Sequence, residues 1–149
     1  GMNVIAYTRK EPKEIPNGIN KASIDNILSD SDIISLHCPL TKQTRELINK
    51  DSIAKMKRGV IVVNTGRGPL VNEEDVANAL HNGLIGAYCA DVMCSEPPSA
   101  DNPLFVEQNA YITPHVAWAS KEARIRLMDI AEKNIHSFLS GKPINVVNI

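Results

Sequence analysis

The stretch Gly59-Val60-Ile61-Val62-Val63-Asn64-Thr65-Gly66-Arg67-Gly68-Pro69-Leu70-Val71 limits most sharply what this chain can fold into. Four consecutive β-branched residues run into a polar loop in which two glycines flank one arginine. An acid-rich helix start, Asn72-Glu73-Glu74-Asp75, follows at once. A continuous apolar run of this kind reads as a parallel strand buried on both faces. In open α/β sheets, ligands bind beyond the carboxyl ends of such strands. Arg67 then has two readings at this point, a solvated loop charge or a group that faces a ligand.

Strand-like and helix-like patterns alternate through the rest of the chain, which predicts βα units around a parallel sheet. Strands are expected over 2–7, 32–38, 59–64, 84–93 and 110–113. Helices are expected to start at Ser23, at Asn72 (over 73–81) and at Ser120 (to about 140), each under a side-chain cap, with a further helix near Asn49 running to about 57 and ended by Gly59. Asn102 before Pro103 predicts one further short turn. Residues 8–18 read as a charged loop broken by Pro12, Pro16 and Gly18. In the last helix, Ala123, Leu127, Ile130, Ala131 and Phe138 form one apolar stripe. Gly86, Ala87 and Ala90 leave room for close approach of a helix or a ligand.

A chain of 149 residues suffices for one domain with a real core. Net charge is −1, which gives no pull toward nucleic acid or an anionic membrane. No apolar run approaches the roughly 18–20 residues of a membrane span. The three cysteines, Cys38, Cys89 and Cys94, form no CxxC pair, and their spacing matches no common zinc pattern. That usage, without a secretory signal, fits a cytoplasmic protein with reduced thiols.

Arg67, Glu96 and His115 each follow the carboxyl end of a predicted strand, and a parallel sheet brings such ends to one edge. Their chemistry is complementary. Arginine offers a planar fork for a carboxylate, and histidine exchanges a proton near neutrality. A carboxylate beside the imidazole would orient it and favour its charged form. Singly, each has a plainer reading: a surface arginine, a solvated acid before two prolines, a loop histidine bonded to a carbonyl. Their joint placement favours the functional one. His37, His81 and His136 have no such company.

The chain also resembles the D-isomer-specific 2-hydroxyacid dehydrogenases. The resemblance lies in Asn64-Thr65-Gly66-Arg67-Gly68, in Ala90-Asp91-Val92 with Glu96-Pro97 after it, in Thr113-Pro114-His115-Val116-Ala117, and in Ser35-Leu36-His37-Cys38-Pro39-Leu40-Thr41. The ending, from His115-Val116-Ala117-Trp118 through Arg126-Leu127-Met128-Asp129-Ile130 to Gly141-Lys142-Pro143-Ile144-Asn145-Val146-Val147, is most similar to the glycerate dehydrogenase (hydroxypyruvate reductase) branch. The resemblance implies a Rossmann-type doubly wound sheet and NAD or NADP as cofactor. It also implies hydride transfer with a small 2-keto or 2-hydroxy acid, hydroxypyruvate/D-glycerate or glyoxylate. Arg67 would bind the substrate carboxylate, His115 would exchange the proton and Glu96 would partner it. Thr65, Gly66, Ala117 and Trp118 would line the nicotinamide, Asp91 would hold its carboxamide, and Cys38, Pro39 and Thr44 would lie along the adenosine and phosphate side. Arg9, after the first strand, either accepts the 2′-phosphate of NADP or is an exposed loop charge.

No G-x-G-x-x-G turn occurs in these residues. The chain is therefore expected to be an incomplete dinucleotide-binding domain over 1–149. The first strand, Gly-rich loop and first helix, and the substrate domain, would be absent. Cofactor binding would be weak and activity of this chain alone slight. In the order 3-2-1-4-5-6 the absent strand would fall between 2–7 and 59–64. Repositioning of the first strand, a homo-oligomer or a strand-exchanged pair would then cover the exposed edges. The alternative from another class is a non-catalytic relict or protein-binding module on the same scaffold.

Overall fold

The structure, a computed structural model, describes residues 1–147. It falls into two compact units, Gly1–Pro114 and the residues from His115 onward. The first unit holds six strands, all in parallel pairs. β1 (Val4–Ala6) pairs with β2 (Ile19–Lys21), and β3 (Ile33–Leu36), β4 (Val60–Asn64), β5 (Ile85–Ala90) and β6 (Ala110–Ile112) form a four-stranded sheet in chain order. Helices α1 (Ile24–Asp30), α2 (Lys50–Ile53) and α3 (Glu73–His81) fall between the strands. The second unit carries α4 (Lys121–Leu139).

The caps read from the sequence form as hydrogen bonds. Ser23 accepts the Asn26 N–H, Asn72 that of Asp75, Asn102 that of Leu104 and Ser120 that of Ala123; Asn49, for which no cap is expected, also accepts the N–H groups of Asp51 and Ser52. Each answers a backbone donor that the first helical turn leaves without an internal partner. α2 is shorter than its pattern suggests. Beyond Ile53 the chain tightens into i→i−3 bonds, Lys55 N–H to Ser52 C=O (3.1 Å) and Met56 N–H to Ile53 C=O (3.0 Å).

The core lies on one face of the larger sheet. Val60, Val62 and Asn64 of β4 are buried, while Ile61 and Val63 on the opposite face are only half-buried. The expectation of burial on both faces is thus corrected; β4 alternates as a strand with one fully packed face does. Val76, Ala77 and Leu80 of α3, with Ile48, Leu70, Val71 and Leu104, complete the core. Each large side chain there contributes roughly 1.5–3 kcal/mol. Gly86 is small for a different reason than the one anticipated. A Cβ there would meet the Gly59 carbonyl oxygen at 2.5 Å, so the close neighbour is backbone.

Further expectations change. Residues 19–21, to which the sequence assigned no element, form β2, and β5 stops at Ala90 rather than running to 93. β4 is an interior strand with β3 and β5 on its two sides, so any gap in the sheet would lie beside β3 and not beside 59–64. β1 has not been repositioned into the larger sheet; among the described residues it pairs with β2 alone. In the second unit, no described residue of α4 is buried, and Leu127, Met128, Ile135 and Phe138 are all more than half exposed. No helix among the described residues is long and apolar enough to cross a membrane.

Candidate active site

Strand register decides what can meet at the carboxyl edge. Leu36 is opposite Asn64, Asn64 opposite Ala90, and Ala90 opposite Ile112, one row across four parallel strands. The segments His37-Cys38-Pro39, Thr65-Gly66-Arg67, Asp91-Val92-Met93 and Thr113-Pro114 therefore all leave the sheet at the same edge.

After β4, Thr65 and Arg67 are exposed, and Arg67 Nη1 donates to its neighbour's carbonyl, Gly66 C=O, at 2.8 Å. Gly68 then enters a 3-10 turn, Gly68–Leu70, whose Leu70 is fully buried. A Cβ on Gly68 would lie 2.0 Å from the Met93 carbonyl carbon and oxygen and 2.4 Å from the Cys94 nitrogen. The loops after β4 and β5 thus touch backbone to backbone, which only glycine permits.

After β5, the buried Asp91 carboxylate accepts the Thr113 hydroxyl, joining the ends of β5 and β6. Glu96 is exposed, and its Oε1 accepts the Met93 N–H at 3.1 Å; the Glu96–Pro97 peptide is cis. This loop is held from outside by Glu73 in the first turn of α3. Glu73 Oε1 accepts the Cys94 N–H (2.8 Å) and Oε2 accepts Asn102 Nδ2–H (2.7 Å). Cys94 is exposed as a residue, yet its sulfur turns inward to the Val71 carbonyl at 3.7 Å. Burial, and then the charge of Glu73, push its thiol up to about 12.

After β6, Pro114 ends the first unit and His115 opens the second. His115 has φ of +54°, a left-handed conformation that few non-glycine residues take. The Trp118 indole N–H donates to its carbonyl at 2.9 Å. Of the other candidate residues, Cys38 and Gly66 are half-buried, and the Pro39 carbonyl accepts the Thr44 hydroxyl at 2.7 Å. Ala117 and Trp118 are exposed in the second unit, and Arg9 is exposed beyond the end of β1. Arg67 and Glu96 are thus brought to one edge of the first unit. Sequence reasoning missed the residues that fix their loops, Asn64 and Glu73. An asparagine ending an apolar run and an acid just inside a helix start were the available signals.

The family model for the D-isomer specific 2-hydroxyacid dehydrogenase, NAD binding domain, matches residues 1–117. The chain belongs to this family. A hydroxypyruvate reductase of Blautia hydrogenotrophica is 49% identical over 149 residues, 99% of this chain and 46% of that protein. A glycerate dehydrogenase of Methylorubrum extorquens is 46% identical over the same shares. Among solved structures, the TT0316 protein of Thermus thermophilus superposes with a TM-score of 0.88 at 38% identity, over 99% of this chain and 47% of that one. The chain thus spans about half the length of the relatives it matches. Both curated relatives carry names of the branch that the ending resembles.

The edge suits the cofactor of a 2-hydroxyacid dehydrogenase in its donor set. Asp91 is a carboxylate only 6% exposed in the row of strand ends, an acceptor suited to a carboxamide N–H. Thr65 is exposed at the same edge, the Gly66 N–H and C=O are bonded to Asn64 Oδ1 and Arg67 Nη1, and beyond β3 the Thr44 hydroxyl is bonded to the Pro39 carbonyl.

Proposed function

We propose that this chain supplies part of the dinucleotide-binding domain, and the reacting side chains, of an oxidoreductase that interconverts a small 2-keto acid and its D-2-hydroxy acid. Hydroxypyruvate/D-glycerate is the pair best supported by the relatives' names, with glyoxylate next. The observation that carries the reading is the common edge. Asn64 and Ala90 are register partners, and the Arg67 and Glu96 loops leave the sheet together from that point.

In this reading the Arg67 guanidinium binds the substrate carboxylate through its planar fork and draws charge from the adjacent carbonyl. His115 gives its proton to the carbonyl oxygen in reduction and takes it back in oxidation. Glu96, whose Oε1 accepts the Met93 N–H, is assigned as the partner of the imidazole. NAD or NADP, when bound, supplies or accepts the hydride. Asp91, Thr65, Gly66, Ala117 and Trp118 hold and screen the nicotinamide, and Cys38, Pro39 and Thr44 lie along the rest of the dinucleotide. The left-handed backbone at His115 suits a residue held for function.

These residues contain no glycine-rich phosphate turn, so by themselves they hold the dinucleotide weakly and turn over slowly. The edge of β3, which has no partner strand among the described residues, takes one from the rest of the protein or from a second copy. The test is hydroxypyruvate-dependent oxidation of NADH and NADPH when this chain replaces the matching segment of a full-length relative. Loss of turnover in Arg67→Ala and His115→Ala supports the reading, and unimpaired turnover in both removes it.

A further inference from the structure

Among the described residues Asn64 is one of two polar residues in the buried set, and its side chain is wholly inaccessible. It ends β4 and faces the core with Val60 and Val62. A buried amide must be bonded or it destabilises the fold, and this one directs two of its three bonds to a single loop. Oδ1 accepts the Gly66 N–H at 3.1 Å, and Nδ2 donates to the Arg67 C=O at 3.0 Å. Nδ2 also reaches the hydroxyl of Tyr88 at 3.4 Å. The chemistry of the partners fixes which way the amide faces, since an N–H requires oxygen opposite it and a carbonyl requires N–H.

We infer that Asn64 is the positioning residue for Arg67: its amide bridges the Gly66 N–H and the Arg67 C=O and sets the loop from which the guanidinium projects. The arrangement explains why the position needs an amide. Aspartate can accept from Gly66 but, ionised, cannot donate to Arg67. Leucine, of similar size, leaves the Gly66 N–H unanswered and leaves the Arg67 C=O with the Leu70 N–H alone. Tyr88 serves as the backstop. Burial pushes its phenol above the usual range, so it stays neutral and can accept from Nδ2 without competing for the loop. Packing also limits the loop, because a Cβ at Gly66 would sit 3.1 Å from Leu70 Cδ1 and 3.4 Å from the Leu36 carbonyl. The role deepens the reading of Arg67 as the carboxylate arm. That reading is tested separately by Arg67→Ala turnover, so either can fail alone.

The experiment is amide exchange and chemical-shift titration by NMR on the 149-residue chain. Asn64→Ala is expected to lower the protection of the Gly66 amide about tenfold or more, while the Tyr88 amide, bonded to the Asn109 carbonyl in the strand ladder, keeps its protection. Asn64→Asp supplies the pH signature. Its carboxyl titrates above the ordinary range because it is buried. As pH falls through that value the neutral acid regains a donor for Arg67 C=O, so the Gly68 amide, which shares that peptide group, shifts toward its wild-type position. In the wild type the Gly68 signal does not follow this titration. An unchanged Gly66 amide in Asn64→Ala overturns the inference. So does equal loss of protection at Gly66 and Tyr88, or a Gly68 signal in Asn64→Asp that ignores pH.

Discussion

Glu73 and Cys94 are 21 residues apart in the chain and joined by one hydrogen bond, the Cys94 N–H donating to Glu73 Oε1 at 2.8 Å. With Asn102 on the other carboxylate oxygen, Glu73 pins both ends of the loop that carries Glu96. Glutamine at this position can still accept from Cys94, but it turns an N–H toward the Asn102 amide, whose oxygen is committed to Leu104. Glu73→Gln is therefore expected to destabilise the chain by about 1–2 kcal/mol. Urea unfolding would measure this, and amide exchange should show the loss concentrated in residues 94–102.

Cys94 offers a chemical readout of the same contact. A thiol pushed up to about 12 is almost entirely protonated at pH 8, and the thiolate is the reactive form. Alkylation by iodoacetamide at pH 8 should run on the order of a hundredfold or more slower than for an ordinary thiol of pKa about 8.5. Removing the neighbouring charge lowers the pKa, so Glu73→Gln should speed labelling. Equal rates in the two proteins would refute the electrostatic part of the account.

Gly68 should tolerate no side chain. A methyl group there would lie 2.0 Å from the Met93 backbone, which cannot rotate away as a side chain could. Gly68→Ala must separate the loops after β4 and β5, at about 1–3 kcal/mol for overpacking. The expected drop in Tm is on the order of 5–10 °C by calorimetry. Gly18→Ala gives the contrast: its Cβ has no neighbour within 4 Å, and the cost is only that of a φ of +88°.

Under the proposed function, Arg9 at the end of β1 is the candidate for cofactor preference. Thr8, Arg9 and Lys10 follow the strand, Lys21 Nζ donates to the Lys10 carbonyl at 2.7 Å, and no acid lies between Met2 and Lys10. A 2′-phosphate would gain charge-assisted bonds there, while the ribose diol of NAD lacks its usual carboxylate. NADPH should therefore bind roughly tenfold or more tightly than NADH. Arg9→Asp should reverse the order in a fluorescence titration.

Much of this was legible in the sequence because local chemistry dictated it. Ser23, Asn72, Asn102 and Ser120 announced helix starts by their side-chain acceptors, and all four cap as expected. The Arg67 and Glu96 loops could be placed because apolar runs ended just before them. What stayed hidden depended on distant partners. Ile19-Asn20-Lys21 has no alternating pattern and is a strand only because β1 lies beside it. The order that puts β3 against β4 is a matter of pairing, which a linear pattern does not encode. Asn64 read as the polar end of a strand; its importance comes from its depth and from two bonds made after the chain has turned.

The central claim is that Arg67 and His115 are the reacting side chains of a 2-hydroxyacid dehydrogenase. The most direct measurement places these 149 residues in the matching segment of the Blautia hydrogenotrophica hydroxypyruvate reductase and follows NAD(P)H oxidation with hydroxypyruvate. The account predicts turnover by the chimera and a fall of about 10²–10⁴-fold in kcat for His115→Ala. Arg67→Ala should lower kcat/KM by a similar factor, with KM raised. A folded chimera that reduces no hydroxypyruvate, or one whose turnover survives both substitutions, would contradict it.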